Sequence, residues 1–581
     1  MLRTHNCGEL RREHVGQDVR ICGWVDTTRK HASLTFVMVR DRYGFVQVTV
    51  GAGVVGAEVI SKEAVVLVSG RVNSRPSGTE HAQLPTGEIE VEAASIELLG
   101  ACKPLPFEIR DDVSVRDDLR LEYRFLDIRR PLMLSRLVER HRIVTQLRRS
   151  LDDLNFLEVE PPMFVKSTPE GSRDFIVPSR LYPGRFYALP QSPQLYKQIL
   201  MIAGVDRYYS IPRCFRDEDP RRGRQLVHTQ IDLEMSFVEE DDVFSVVEKF
   251  LREAFANVLS VELPVPFPRF TYDEVIARWG IDKPDLRFGM ELVDLSGPAQ
   301  AVNYDIFRRA LASGGVVKGI VAPGCASYSR KEIEGLEEFV KRYRAAGLSW
   351  IKVEEGGVRA SFGHHAQPHE VATLVSAAGA EVGDLVLIVA DKPALVARAL
   401  GELRNNLGNK LDLIQRGIYR PLWVREFPMF EWDDEAGRWA PMHHMFTMPK
   451  PEHLEFLETR PGDVRAHLYD VVLNGVELGS GSIRITNPAL QQRIMEFVGY
   501  SREAAEENFG FLLRAYEYGA PPHAGIALGL DNLVMTMLDL TNLTDVIAFP
   551  NNSAGVFPLD GSPSVVDREQ LEECHIRIVR S

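Results

Sequence analysis

Two acids separated by an Asn-Gly turn stand out first in this 581-residue chain. Asp470 and Glu477 flank Asn474-Gly475 in 469–484, YDVVLNGVELGSGSIR. Asn-Gly between apolar runs is the strongest short-range hairpin signal. With those two residues as the loop, Leu473 faces Val476 and Val472 faces Glu477. Asp470 shares parity with Val472, so the two carboxylates emerge on one face, one diagonal apart. Such a pair suits Mg2+ bound together with substrate phosphates; the alternative is two surface acids. The GSG that follows favours the first reading, because glycine in a strand marks a bulge or the close approach of a ligand.

The second constellation is 213–237, RCFRDEDPRRGRQLVHTQIDLEMSF, with Arg213, Arg216, Arg221, Arg222 and Arg224 ahead of a strict alternation. Thr229, Ile231, Leu233, Met235 and Phe237 share one parity; Gln230, Asp232, Glu234 and Ser236 share the other. That predicts a half-buried strand whose polar face looks into a site. Guanidinium grips phosphate oxygens bidentately, so the arginines read as a phosphate grip or as the solvated tip of a charged hairpin. Residues 523–535, HAGIALGLDNLVM, read as a glycine-spaced strand running into a helix. In 155–197, the segment STPEGS with Glu170 reads as a lid loop, followed by LPQSPQLYK.

These segments need elements to hold them. Residues 15–100 contain five short strand-like runs, at 19–25, 34–39, 45–50, 64–72 and 87–99, which predict a small barrel of the OB type. Such a barrel grips single-stranded nucleic acid by stacking bases on aromatics. Phe36 would supply the ring and Gln47 a hydrogen-bonding amide; alternatively Phe36 is core. Residues 104–106 begin a linker. An amphipathic helix over 132–155 carries Leu137, Val144, Leu147, Leu151 and Leu154, and Pro161-Pro162 bars helix beyond it. Residues 284–416 alternate strand-like and helix-like runs, for example a strand at 385–390 and a helix at 392–407, and read as an insertion between two halves of a catalytic domain.

The totals set limits. Hydrophobic content of 45% and charged content of 26% are those of a globular protein. A net charge of −14 argues against a non-specific DNA coat. It leaves room for a local basic patch, and 101–150 holds 12 Lys+Arg against 8 Asp+Glu. The six cysteines, at 7, 22, 102, 214, 325 and 574, form no C-x-x-C pair, so a reducing cytoplasm is expected. Residues 1–14 lack the apolar core of a signal peptide, and no run of 18 apolar residues predicts a membrane span.

Together the segments resemble a class II aminoacyl-tRNA synthetase, of the bacterial aspartyl type, over nearly the whole chain. FLEVEPP resembles the family's first motif, FRDED with TQIDLE the second, and GIALGLDN the third. STPEG, QSPQLYK, PMHHMF and ELGSGSIR resemble its aspartate-specific elements, and GIDKPDLR at 280–287 the entry to the bacterial insertion. The resemblance implies an α+β multidomain fold. An OB barrel at 1–103 reads the anticodon, a hinge spans 104–131, and an antiparallel catalytic sheet with helices lies at 132–283 and 417–581 around an α/β insertion at 284–416. It implies a homodimer joining L-aspartate to tRNA-Asp with ATP and Mg2+. Arg216 would hold the α-phosphate, while Glu218, Gln225, His228, Gly529 and Asn532 line the ATP site. Asp470 and Glu477 would hold Mg2+. Lys197 and Arg484 would clamp the substrate side-chain carboxylate with Asp232 and His443; Glu170, Ser192 and Gln194 would hold its α-amino end. Arg29, His31, Phe36 and Gln47 would meet the anticodon.

The chain departs from the pattern at several positions. Asn532 stands where the third motif has arginine, His228 where an adenine-stacking phenylalanine is usual, and Met445 where proline is usual. Arg222 and Arg224 are the spare cations that could compensate for Asn532. The rival reading is a tRNA-binding paralogue without activation chemistry. His31 points toward an enzyme that also charges tRNA-Asn, unless it is an ordinary loop histidine. Two cations in the side-chain pocket argue against a lysine- or asparagine-specific relative.

Overall fold

The computed structural model describes residues 1–168, 172–218 and 225–579. Two compact units emerge: Met1–Arg120 with Phe125–Leu134, and the rest of the chain. In the first, five strands close into a barrel in the order Asp18–His31, Leu34–Asp41, Gly44–Val50, Ile89–Gly100, Val65–Ser74. Val19, Ile21, Val25, Val37, Val39, Val46, Val48, Val68 and Val91 fill its interior. β-Branched side chains at every second position suit a pleated wall with one buried face. Residues 104–120 and 125–131 cluster with the barrel. Arg129 stacks over Trp24 and, with Arg40, donates to the buried Glu63.

The second unit is built on a large sheet. Its path runs Arg269–Thr271, Pro421–Arg425, Leu468–Leu473, Val476–Ile483, His523–Gly529, Val227–Ser236, Arg207–Ser210, Leu157–Glu158, with Arg213–Phe215 paired to Val227–Ser236. The six middle strands of the path are mutually antiparallel; the strand at each end pairs parallel. Alternation sorts side chains to two faces. Ile231, Leu233, Met235, Tyr469, Val471, Ile526 and Leu528 pack under the helices Pro131–Asp153, Glu240–Ala254 and Leu530–Met537. Leu468, Val472 and Val424 join the core on the other face with Pro488–Phe497 and Arg502–Tyr516.

The helix expected over 132–155 spans Pro131–Asp153, and Asn155 follows it in the left-handed region at φ 60°. The strand expected to be half-buried is not: in Val227–Ser236, every residue from Gln230 to Ser236 is buried. Its polar face is covered by the helix Gln194–Ile202, so the alternation separates an apolar core from a charged one. Phe237 lies outside the strand, 76% exposed.

Within 284–416, five strands form a separate antiparallel sheet in the order Val293–Asp294, Val316–Ala322, Leu385–Asp391, Ser349–Glu354, Gly357–Ala360. No helix among the described residues is long and apolar enough to cross a membrane.

Candidate active site

The polar face of Val227–Ser236 meets a lysine from Gln194–Ile202 and an arginine just beyond Val476–Ile483. Lys197, 1% exposed, donates to Asp232 Oδ1 at 2.7 Å and lies 3.1 Å from Glu234 Oε2. Arg484 grips Glu234 through Nε at 2.8 Å and Nη2 at 3.1 Å. Its Nη1 donates to Ser482 Oγ at 2.6 Å and to His444 Nε2 at 2.9 Å. Of the guanidinium's five N–H groups, one on Nη2 has no partner among the described residues. Gly525 makes the arrangement possible: a Cβ there would stand 1.9 Å from Glu234 Oε2.

Glu234, which the sequence placed on the polar face but gave no role, is therefore the centre of this cluster. Burial opposes its charge, but Arg484 and Lys197 outweigh burial and bring its pKa down to about 2. Asp232 moves the other way, because burial and the Glu234 charge exceed the help from Lys197. Its Oδ2 has no partner among the described residues. Both cations are thus already matched by sheet carboxylates.

His444, the neighbour of His443, meets Arg484. Arginine only donates, so His444 Nε2 accepts. Its Nδ1 lies 3.3 Å from both Phe446 N and Thr447 Oγ1, and Thr447 in turn reaches Ser482 Oγ. Burial and the Arg484 charge hold this imidazole neutral. His443 belongs elsewhere, with Nδ1 2.9 Å from Ser480 Oγ.

The hairpin forms as its Asn-Gly turn predicts, with Val472 opposite Glu477 and Asn474 and Gly475 both at positive φ. Between Val472 and Val471 the register shifts, so Asp470 faces Ser480. The extra residue has a large consequence. Glu477 and Arg484 are an odd number of positions apart and would point to opposite faces of a regular strand. The bulge brings both to the site.

Asp470 is buried and its Oδ1 has no partner among the described residues. Burial, followed by the Glu477 charge, raises its pKa well above the usual carboxylate range. Lys283 Nζ lies 3.2 Å from Glu477 Oε2. Desolvation opposes the ammonium, but Glu477 and Asp282 more than compensate and raise its pKa. No group of three or more His, Cys, Asp or Glu able to hold a metal occurs among the described residues. Two carboxylates, one with an orphaned buried oxygen, fit Mg2+ that keeps waters and takes its other oxygens from phosphates.

On the arginine side, Arg213–Phe215 pairs with Val227–Thr229 as one hairpin, and Arg216 N bonds Leu226 O at 3.0 Å. Arg216 is exposed. His228 sits beside it: burial, then the Arg216 charge, lowers its pKa to about 4. Glu218 accepts from Ser172 Oγ at 2.5 Å. Gln225 spends both ends of its amide on the Asn551 backbone, at 3.2 and 3.0 Å, and Asn551 Oδ1 accepts from Leu226 N. Asn551, buried and missed by sequence reading, pins the base of this loop. Asn532 is half-buried in the first turn of Leu530–Met537, just after Gly529. Its neighbour Asp531 ties that helix to Arg140 at 2.6 Å and to Thr229 N at 3.0 Å. Ser192 Oγ accepts from Gln194 N, and Gln194 Nε2 is buried without a partner among the described residues. Glu170, Arg221, Arg222 and Arg224 lie outside the described residues.

In the barrel unit, Phe36 pairs with Arg29 across two strands and Gln47 with Met38. Phe36 is half-buried on the outer face and takes no part in the barrel core. Gln47 Nε2 donates to Glu90 at 2.9 Å. Arg29 and His31 are exposed at the end of the first hairpin.

Comparison with known proteins gives one consistent result. Residues 116–553 match the family model described as tRNA synthetases class II (D, K and N), and 19–99 match that of the OB-fold nucleic acid binding domain. The chain is 49% identical to an aspartate–tRNA(Asp/Asn) ligase of Symbiobacterium thermophilum, over 99% of this chain and 100% of that protein. It is 46% identical to an aspartate–tRNA ligase of Ruminiclostridium cellulolyticum, over 100% and 98%. Its fold is that of asparaginyl-tRNA synthetase from Pyrococcus horikoshii complexed with asparaginyl-adenylate, with a TM-score of 0.61 at 20% identity, covering 96% of this chain and 100% of that one.

Proposed function

The chain belongs to the D, K and N group of class II tRNA synthetases, and we infer that it is an aspartate–tRNA ligase. It uses ATP to form aspartyl-adenylate and pyrophosphate, then transfers the aspartyl group to the 3′ end of tRNA. The observation that carries the reading is the buried Lys197–Asp232–Glu234–Arg484 cluster with its one spare guanidinium N–H. That donor suits an oxygen of the substrate side-chain carboxylate. Asp232 Oδ2 offers an acceptor for the substrate ammonium, with Ser192, Gln194 and Glu170 supporting that end. Asparagine would turn an amide N–H2 toward groups that themselves only donate. Sites built to match one hydrogen-bonding pattern reject its converse strongly.

Activation is attack by a carboxylate oxygen on the α-phosphorus, and no side-chain nucleophile is needed. Positioning and charge neutralisation do the work. Arg216 would hold the α-phosphate, with Glu218 and Gln225 about the nucleotide and His228 against the base. Gly529 lets the ligand approach the start of the helix carrying Asn532. Mg2+ held by Asp470 and Glu477 would neutralise charge on the phosphate oxygens. The spare arginines 222 and 224 are our choice to replace the charge missing at Asn532. His443, joined to Ser480, steadies the wall between the two acid clusters.

The test is aspartate-dependent exchange of pyrophosphate into ATP. Folded protein without exchange above background, yet still binding tRNA, would instead support the non-catalytic paralogue. The name of the Symbiobacterium relative favours a second reading, in which tRNA-Asn is charged as well as tRNA-Asp. Charging both purified tRNAs side by side decides it. Arg29, His31, Phe36 and Gln47 form the proposed anticodon face, to which we add Glu90 as the partner of Gln47. The enzyme is proposed to act as a homodimer in the cytoplasm. Exposed Leu157, Met163 and Phe164, with Met163 and Pro161-Pro162 lining a cavity of about 690 Å³, support an interface at the first motif.

A further inference from the structure

Lys283 lies in the GIDKPDLR segment at the entry to the insertion and has no part in the site described so far, yet its ammonium sits on the carboxylate hairpin. It is 3.2 Å from Glu477 Oε2 and 3.8 Å from Asp282 Oδ2. The segment carrying it is fixed in place. It leaves the helix Tyr272–Trp279 through Gly280, in the left-handed region at φ 78°. Asp285 then caps Arg287 N and binds its guanidinium through both oxygens. The fully buried Arg404, on the insertion helix Pro393–Lys410, donates to the carbonyls of Asp285, Phe288 and Gly289 at 2.8, 2.8 and 3.1 Å and lies 4.0 Å from the Phe288 ring centre. That helix presses so closely that a Cβ on Gly408 would reach within 2.5 Å of Phe288 and one on Gly401 within 2.8 Å of Ile281. On the other side, a Cβ on Gly475, at the hairpin turn, would lie 3.2 Å from Asp285 Cβ.

The hairpin and the lysine segment therefore share one rigid mount, while the ion pair itself stays partly open: Lys283 and Glu477 side chains are 43% and 37% exposed. A half-exposed pair is weak and exchangeable. We propose that Lys283 is the resident counter-cation of the carboxylate pair. It holds Glu477 in the nucleotide-free enzyme, discourages a bare divalent ion from settling there, and yields the carboxylate to the ion that arrives with ATP. The proposal rests on Asp470 and Glu477 being the metal pair. It gives the insertion a role, since Arg404 and the two glycines of its helix set where the ammonium stands.

The test is Mn2+ binding to the whole protein, read by electron paramagnetic resonance, without nucleotide and with a non-hydrolysable ATP analogue. Without nucleotide, Lys283→Met and Lys283→Gln should each bind Mn2+ about fivefold more tightly than the parent. Lys283→Arg, which keeps the charge, should match the parent. Thermal melts identify any neutral variant that fails to fold, and the other then serves. Unchanged or weaker Mn2+ binding in the neutral variants overturns the proposal. Asp470→Asn and Glu477→Gln test the underlying reading separately. If neither weakens Mn2+ binding with the analogue, the metal pair itself is wrong and the proposal falls with it.

Discussion

Two charged clusters share one face of the catalytic sheet, and they are finished to different degrees. Around Glu234, two cations meet two carboxylates inside a buried shell, with a bidentate guanidinium grip and a histidine lone pair on the arginine. Around Asp470, two carboxylates lie on one face of the hairpin, one oxygen is orphaned, and a half-exposed lysine binds the partner acid. Their pKa values diverge accordingly: Glu234 is brought down to about 2, whereas Asp470 is pushed up. The first cluster has its charge completed by the chain and can select by hydrogen-bond pattern. The second is electrostatically incomplete and suits a charge supplied from outside. Burial is common to both; at Glu234 the resident cations outweigh it, and at Asp470 Lys283 does not.

The harshest way to break the contrast is Glu234→Gln. It leaves Lys197 and Arg484 sharing Asp232, and breaking a buried pair costs about 3–5 kcal/mol, read by denaturant unfolding. The pH dependence follows from the same group. The Glu234 pKa falls from its ordinary 4.5 to about 2 in the fold. Its stabilisation is therefore complete above 4.5 and lost as pH falls through 2. The acid limb of stability should be shallower in Glu234→Gln; an identical limb would refute the pairing.

Asp470→Asn should behave oppositely. Pyrophosphate exchange should fall by about 100-fold or more, while the melting temperature holds or rises, because a buried carboxylate without a cation is removed. A fall in stability would mean that Asp470 is satisfied in the free enzyme. Arg484→Lys keeps charge but loses the fork, and should raise the KM for aspartate by about 10- to 100-fold with little change for ATP. Asn532→Arg should leave the KM for ATP equal or up to about tenfold lower; a large rise would give the asparagine a role of its own. The finest test is His228, whose imidazole should titrate near pH 4 by NMR. A midpoint near 6.5 would put the ring in open water.

Much of this was legible because its signals are local. Asn474-Gly475 specifies its own turn, so the pairing of Val472 with Glu477 follows from sequence. The valine-rich alternation of 15–100 specifies a barrel wall, and the strand-to-helix junction at Gly529 is where the glycine-spaced run predicts it. Glu234 was hidden because, in TQIDLE, it looks like one more polar position; only the arrival of Arg484 from a distant strand distinguishes it. His444 was hidden behind its neighbour for the same reason. Asn551 carries no motif at all, and its importance comes from facing Gln225 across more than 300 residues.

The sequence alone determined the elements, the order of the motifs and the family, because periodicity, turn residues and motif spacing are properties of neighbours along the chain. Tertiary structure decided which charges are matched. One extra residue opposite Val471 turns Arg484 onto the face of Glu477, and the missing Cβ of Gly525 admits Glu234. The insertion helix fixes the segment that brings Lys283 to the second acid. Electrostatic balance depends on distance in space, and residues far apart along the chain meet only when the sheet and its insertion are assembled.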